Sequence, residues 1–236
     1  QDLLGTQSMA QKAVENTKRR IGARAIGSQK TPVMFAPEVA TTLIQSFLSA
    51  ISGSNIYRKS SFLLDQIDQA VFPSWFEIMD DPFVPRGLSS VLFDSEGVKV
   101  QPRTLIDKGI LQSYLLDSYA ARKLKLKTTG HAGGAHNIVI PGQEDFDTML
   151  KNMGTGFVVT ELMGQGVNPV TGDYSRAAGG YWVKDGVFDF AVEGVTIAGN
   201  LKDMYQNIVA VGKDYNLNSS IATGSILIEQ MALSGS

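Results

Sequence analysis

The sequence predicts an α+β fold: a mainly antiparallel β-sheet or partly closed barrel with flanking helices. Three observations carry that expectation. Beyond residue 88, apolar residues alternate in strand-like runs. Three tripeptides, Ser95-Glu96-Gly97, Asp107-Lys108-Gly109 and Lys184-Asp185-Gly186, put glycine where a hairpin loop needs positive φ. Helical periodicity breaks into this β pattern only in short stretches, as expected when helices flank a sheet.

The elements follow in order. A first helix is expected from a cap at Thr6 or Ser8, with Met9, Ala13, Thr17 and Ile21 on one face and Lys18, Arg19 and Arg20 near its carboxyl end. Val33-Met34-Phe35 reads as a short buried strand between Pro32 and Pro37. Pro37 suits the first turn of a second helix reaching Ile51, with Gly53 as its stop and Val39, Leu43, Phe47, Leu48 and Ile51 inside. Residues 55–87, with three prolines, read as a long connection holding a short strand at Phe76–Met79. Strands are then expected at 90–94, 98–101, 103–106, 110–115, 156–161, 174–183, 187–199 and 224–232. Helices are expected at about 116–124, 143–152 and 200–211. Residues 1–87 therefore form a helical and linking segment, and residues 88–236 a β-rich carboxyl-terminal domain.

Composition narrows the function. The 236 residues are 43% hydrophobic and 19% charged, enough for a sizeable core. With 21 basic and 23 acidic residues the net charge is -2, which excludes a general electrostatic nucleic-acid binder. Having no cysteine excludes disulfides, thiolate metal sites and a cysteine nucleophile, and fits a cytoplasmic protein. No window reaches the roughly 18 apolar residues of a membrane span. Gln1-Asp2-Leu3-Leu4 lacks the basic and apolar regions of a signal peptide, and the missing initial Met suggests part of a longer polypeptide.

Four segments hold candidate chemistry. His131 and His136 are the only histidines and lie in a loop with Gly133, Gly134 and Asn137. They could share a metal, but the nearest carboxylate by spacing is Glu144, and two imidazoles rarely hold zinc alone, so a structural or interface role is favoured. Ser175 or Ser225 with His131 and Asp173 could be drawn as a hydrolytic triad, but no G-x-S-x-G elbow is present. Glu161 and Asp173 bracket a loop containing Gly164, Gln165, Gly166 and Asn168. The two carboxylates could act as acid and base. Alternatively, the loop could simply bond its own backbone through Asn168, Thr171 and Asp173, which is favoured. The alternating run Arg122–Lys127 reads as a solvated face rather than a phosphate patch.

The strings Gly130-His131-Ala132-Gly133-Gly134-Ala135-His136-Asn137, Val159–Asn168, Val170–Arg176 and Ile197–Met204, with Gly224-Ser225-Ile226-Leu227, closely resemble the PmbA (TldE) branch of the TldD/PmbA family. The likeness runs through essentially the whole chain and corresponds to the carboxyl-terminal half or more of a full subunit. It implies a bacterial or archaeal cytoplasmic proteolytic system. There a TldD-type zinc peptidase, with an H-E-x-x-x-H helix and a late cysteine, pairs with a PmbA-type subunit. Together they mature peptide antibiotics and degrade certain antitoxins. The older label "modulator of DNA gyrase" implies no DNA contact.

This chain departs from the TldD pattern. The motif falls on Gln45-Ser46-Phe47-Leu48-Ser49-Ala50, and no thiol stands near Ala222-Thr223-Gly224. Neither histidine of the motif, nor its glutamate, is present. The resemblance thus implies a subunit with no catalytic residues, metal or cofactor of its own, zinc being expected in the TldD-type partner. The loops with His131, Gly133, Gly134, His136 and Asn137, and with Glu161, Gly164, Gln165, Gly166, Asn168 and Asp173, are candidate interface or substrate-chamber walls for peptides. Valine at Gly164 and Gly166 is expected to impair assembly or activity while sparing the fold. The rival readings are a stand-alone peptide-binding or scaffold homodimer, and a hydrolase using Glu161, Asp173 or His131.

Overall fold

A computed structural model describes residues 5–216 and 218–235, and only the backbone of Ser8, Lys12 and Asn16. The residues Gln1–Leu4, and the side chain of Ser8 as a cap, lie outside that description. The chain runs α1 (Thr6–Arg19), β1 (Gln29–Phe35), α2 (Pro37–Ala50), α3 (Gly53–Tyr57), β2 (Ile78–Asp81), β3 (Arg103–Asp107) and β4 (Ile110–Leu111). It continues through α4 (Ser118–Leu124), β5 (Asn137–Val139), α5 (Phe146–Met153), β6 (Gly156–Met163), β7 (Asp173–Lys184) and β8 (Val187–Asn200). It ends with α6 (Leu201–Gln206), β9 (Ile208–Val211), β10 (Ile221–Ala222) and β11 (Ile226–Ser234).

Five strands close into a barrel. β6, β7 and β8 run antiparallel in sequence, β8 pairs with β11, β11 pairs with β1, and β1 returns to β6 in parallel. β9 adds to β11 beyond the end of β8. Alternate residues of the five strands, among them Val33, Phe35, Phe157, Val159, Tyr174, Ile197, Ile226 and Ile228, share one buried cluster and fill the interior. The intervening Met34, Val158 and Leu227 face outward and are covered by Met149, Leu150 and Met153 of α5. This is why Val33-Met34-Phe35 is apolar without alternation: β1 is buried on both faces.

A second sheet, in the order β10-β5-β2-β3-β4, continues the same core through Ile78, Leu105, Ile106 and Ile138. α2 contacts β1 and β6 of the barrel as well as β10 of this sheet. Its Phe47 meets Phe72 and Tyr205 edge to face, at 5.3 and 6.2 Å. Strands from either side of residue 87 share both sheets.

Two of the predicted turns are tight hairpin loops. Lys108 and Gly109 join β3 to β4 with φ of 49° and 78°, and Asp185 and Gly186 join β7 to β8 with φ of 52° and 75°. Two successive positive φ values match the twist of the flanking strands. The hairpin expected at 90–94 and 98–101 does not form. Its turn is present, but the only pairing is the isolated bridge Phe93–Lys99, because Val91, Leu92 and Phe93 are exposed and have no sheet to pack on. The helix expected over 200–211 stops at Gln206, where the β-branched run Ile208-Val209-Ala210-Val211 joins β11 instead. α1 forms from Gly5, which provides no side-chain cap, and leaves Met9 about half exposed instead of burying an apolar face.

Candidate functional site

Asp80 sits in β2, the middle strand of the second sheet, alternating inward with Ile78. It is completely buried. The segment leading into β5 brings both histidines to it. His131 Nε2 lies 2.7 Å and His136 Nδ1 2.9 Å from the same oxygen, Asp80 Oδ2. The other oxygen, Oδ1, accepts the backbone N–H of His136 at 3.0 Å. Gly133 and Gly134, with φ of 105° and 109°, make the reversal that lets one loop present two side chains to one carboxylate. His131 Nδ1 in turn meets Thr129 Oγ1 at 2.8 Å. Asn137 holds the adjoining loop, donating to Asp81 O and Ser90 Oγ and accepting from Ser89 N. Asp94 anchors the same region. Burial opposes its ionisation, but the N–H groups of Val98, Ala132 and Glu96 outweigh that and hold its carboxyl below the usual range.

The histidine loop borders a cavity of about 540 Å³, also lined by Gln45, Leu48 and Ser49 of α2. A second cavity, of about 510 Å³, lies along the same helix and is lined by Thr42, Gln45, Ser46 and Ser49 together with Gly164, Gln165, Gly166 and Arg176. The two loops marked in the sequence therefore flank one helix face, whose Gln45 and Ser49 border both cavities.

Glu161 and Asp173 do not act as a pair. Glu161 lies 2.6 Å from Arg20, both half-exposed. Asp173 accepts from Thr171 Oγ1 and Asn200 Nδ2, which keep its carboxyl below the usual range. The loop between them bonds itself: Asn168 Oδ1 accepts from Val170 N and Thr171 N, and Asn168 N donates to Asp173 O. The two glycines differ. Gly164, at φ of 76°, faces open space, whereas a Cβ on Gly166 would collide with the carbonyl oxygen of Ser175. Valine at Gly166 therefore cannot leave the fold intact, contrary to expectation.

Residues 28–235 match the PmbA/TldA metallopeptidase C-terminal domain. The chain belongs to this family. It is 50% identical to Metalloprotease PmbA of Escherichia coli O157:H7, over 99% of its own length and 52% of that protein's. It is 49% identical to a PmbA homolog of Haemophilus influenzae, over 92% and 48%. The chain thus spans about half the length of these curated relatives. A Thermotoga maritima structure described as a modulator of DNA gyrase superposes with a TM-score of 0.91 at 33% identity, covering 98% of this chain and 56% of that one. TldE from Thermococcus kodakarensis shares the fold, with a TM-score of 0.85 at 23% identity, covering 97% and 55%.

A metallopeptidase family implies zinc, and the α2 face offers no fitting donors. Thr42, Gln45, Ser46, Leu48 and Ser49 line the cavities, while Ala50, where the second motif histidine would fall, is buried in the core. None of these is an imidazole or carboxylate, so the three protein ligands of a catalytic zinc are not available there. Asp80 was missed because it lies 51 residues from His131, with no local pattern linking the two.

Proposed function

We propose that this chain acts as the PmbA/TldE-type subunit of a heterodimeric peptidase, and that the hydrolytic zinc belongs to a TldD-type partner. The observation that carries the reading is the α2 face. It stands between two cavities, where a metal helix would present its ligands, yet carries amide and hydroxyl groups instead. Such groups hydrogen-bond an extended peptide well but cannot activate water as a metal and carboxylate do. The loops 130–142 and 163–172 serve as chamber wall or partner interface, with backbone polar groups available to an extended chain. The reading carries the roles of this pairing in proteolysis, peptide-antibiotic maturation and antitoxin degradation, in the cytoplasm.

The test is peptide hydrolysis by the purified chain, by an H-E-x-x-x-H partner, and by the two co-expressed. Hydrolysis that requires the partner, together with a stable one-to-one complex, is expected. Cleavage by this chain alone, surviving repurification, would overturn the assignment.

A further inference from the structure

Asp80 is the most deeply buried carboxylate of the second sheet, and no lysine or arginine is paired with it among the described residues. A buried carboxylate is costly unless something supplies compensating charge or hydrogen bonds. Its partners are one backbone N–H and the only two imidazoles in the chain. We propose that Asp80, His131 and His136 bind one divalent transition-metal ion, with open coordination facing the cavity beside α2. This goes beyond the subunit reading and is independent of it, since it rests on β2 and the histidine loop rather than on the donors α2 lacks.

Two imidazoles and a carboxylate form a mixed nitrogen–oxygen donor set that suits zinc, cobalt or ferrous iron and leaves room for water. The three donor atoms lie within 4.8 Å of one another. Asp80 Oδ1 is held by the His136 N–H, which leaves Oδ2 as the single oxygen turned towards both rings. Thr129 Oγ1 on His131 Nδ1 is the kind of outer partner that fixes the orientation of a metal-binding imidazole. His131 and His136 both line the cavity beside α2, and His136 Nε2, the ring nitrogen turned away from Asp80, has no hydrogen-bond partner among the described residues.

The present spacings of 2.7 and 2.9 Å are those of hydrogen bonds. Tetrahedral coordination at about 2.0–2.1 Å needs donors about 3.3 Å apart, so each contact opens by about half an ångström on binding. In the metal-bound site each imidazole is neutral and binds through the nitrogen that faces Asp80, so its proton sits on the other nitrogen: on His131 Nδ1, donated to Thr129 Oγ1, and on His136 Nε2.

The experiment titrates the full chain, stripped with chelator, with Zn2+ and separately with Co2+. It follows heat, metal content and visible cobalt absorption. One ion per chain is expected, with new cobalt bands and a thermal midpoint that rises with Zn2+ and falls again with chelator. Asp80→Asn and His136→Asn should each weaken binding at least a hundred-fold, and Thr129→Val about 10–100-fold. If Asp80→Asn does not fold, His136→Asn at the cavity edge and the chelator response of the unmutated chain decide the matter. Substoichiometric binding, an unchanged cobalt spectrum, or full affinity in folded His136→Asn would overturn the proposal. None of these would touch the subunit reading, which fails only if the chain cleaves peptide alone.

Discussion

Replacing Tyr174 with phenylalanine isolates one buried hydroxyl. Tyr174 lies inside the barrel, 2% exposed, with its ring edge-on to Phe35 at 6.5 Å. Its Oη and the nearby Arg176 Nε are both buried without a hydrogen-bond partner. Phenylalanine keeps the ring contact and removes a polar atom whose desolvation without a partner costs about 1–3 kcal/mol. Near pH 8 the variant should therefore equal or exceed the parent by about 1 kcal/mol. Burial also pushes the phenol from its ordinary 10 to about 12, with Arg176 pulling weakly the other way.

The folded state thus holds the proton more tightly than the unfolded chain does. This contribution is fully present below pH 10 and is lost as pH rises towards 12. At about pH 11 the parent should have lost about 1.4 kcal/mol that the variant keeps. Tyr205, whose buried phenol is pushed up by burial and further by Tyr174, is relieved of that repulsion in the variant, which adds to the variant's advantage at high pH. Urea unfolding followed by circular dichroism at the two pH values measures both differences. The reasoning fails if the variant is less stable by 1 kcal/mol or more near pH 8, or if its advantage does not grow by pH 11.

Two further substitutions test local structure. Gly166→Ala should destabilise severely, because its Cβ meets the Ser175 backbone, whereas Gly164→Ala should cost only about 1 kcal/mol for its positive φ. The thermal midpoints of the pair report this difference. Asp94→Ala strands three backbone N–H groups and should cost about 1–3 kcal/mol at neutral pH. Since the folded carboxyl lies below its ordinary 3.8, that stabilisation is present above this value and is lost as pH falls through the folded pKa. Acid titration of stability should therefore bring parent and variant together at low pH.

What the sequence determined by itself was mostly local. Lys108-Gly109 and Asp185-Gly186 make hairpin loops because adjacent residues fix their own φ, and α2 begins at Pro37 because proline suits a first turn. The self-bonded loop at 168–173 follows from side chains that reach only two or three residues. The family strings were equally legible, being continuous in sequence. Where a strand needs a partner, local pattern was not enough. Residues 90–94 are apolar like a strand yet make only one isolated bridge, while the short β5, β9 and β10 exist only because sheet edges receive them. Barrel closure joins Gln29 to Leu233, and the candidate metal site joins Asp80 to His136, 56 residues on. Neither pairing leaves a mark in the intervening chain, because burial and hydrogen bonding act on distance in space. Tertiary structure alone decided which carboxylate the two histidines would share.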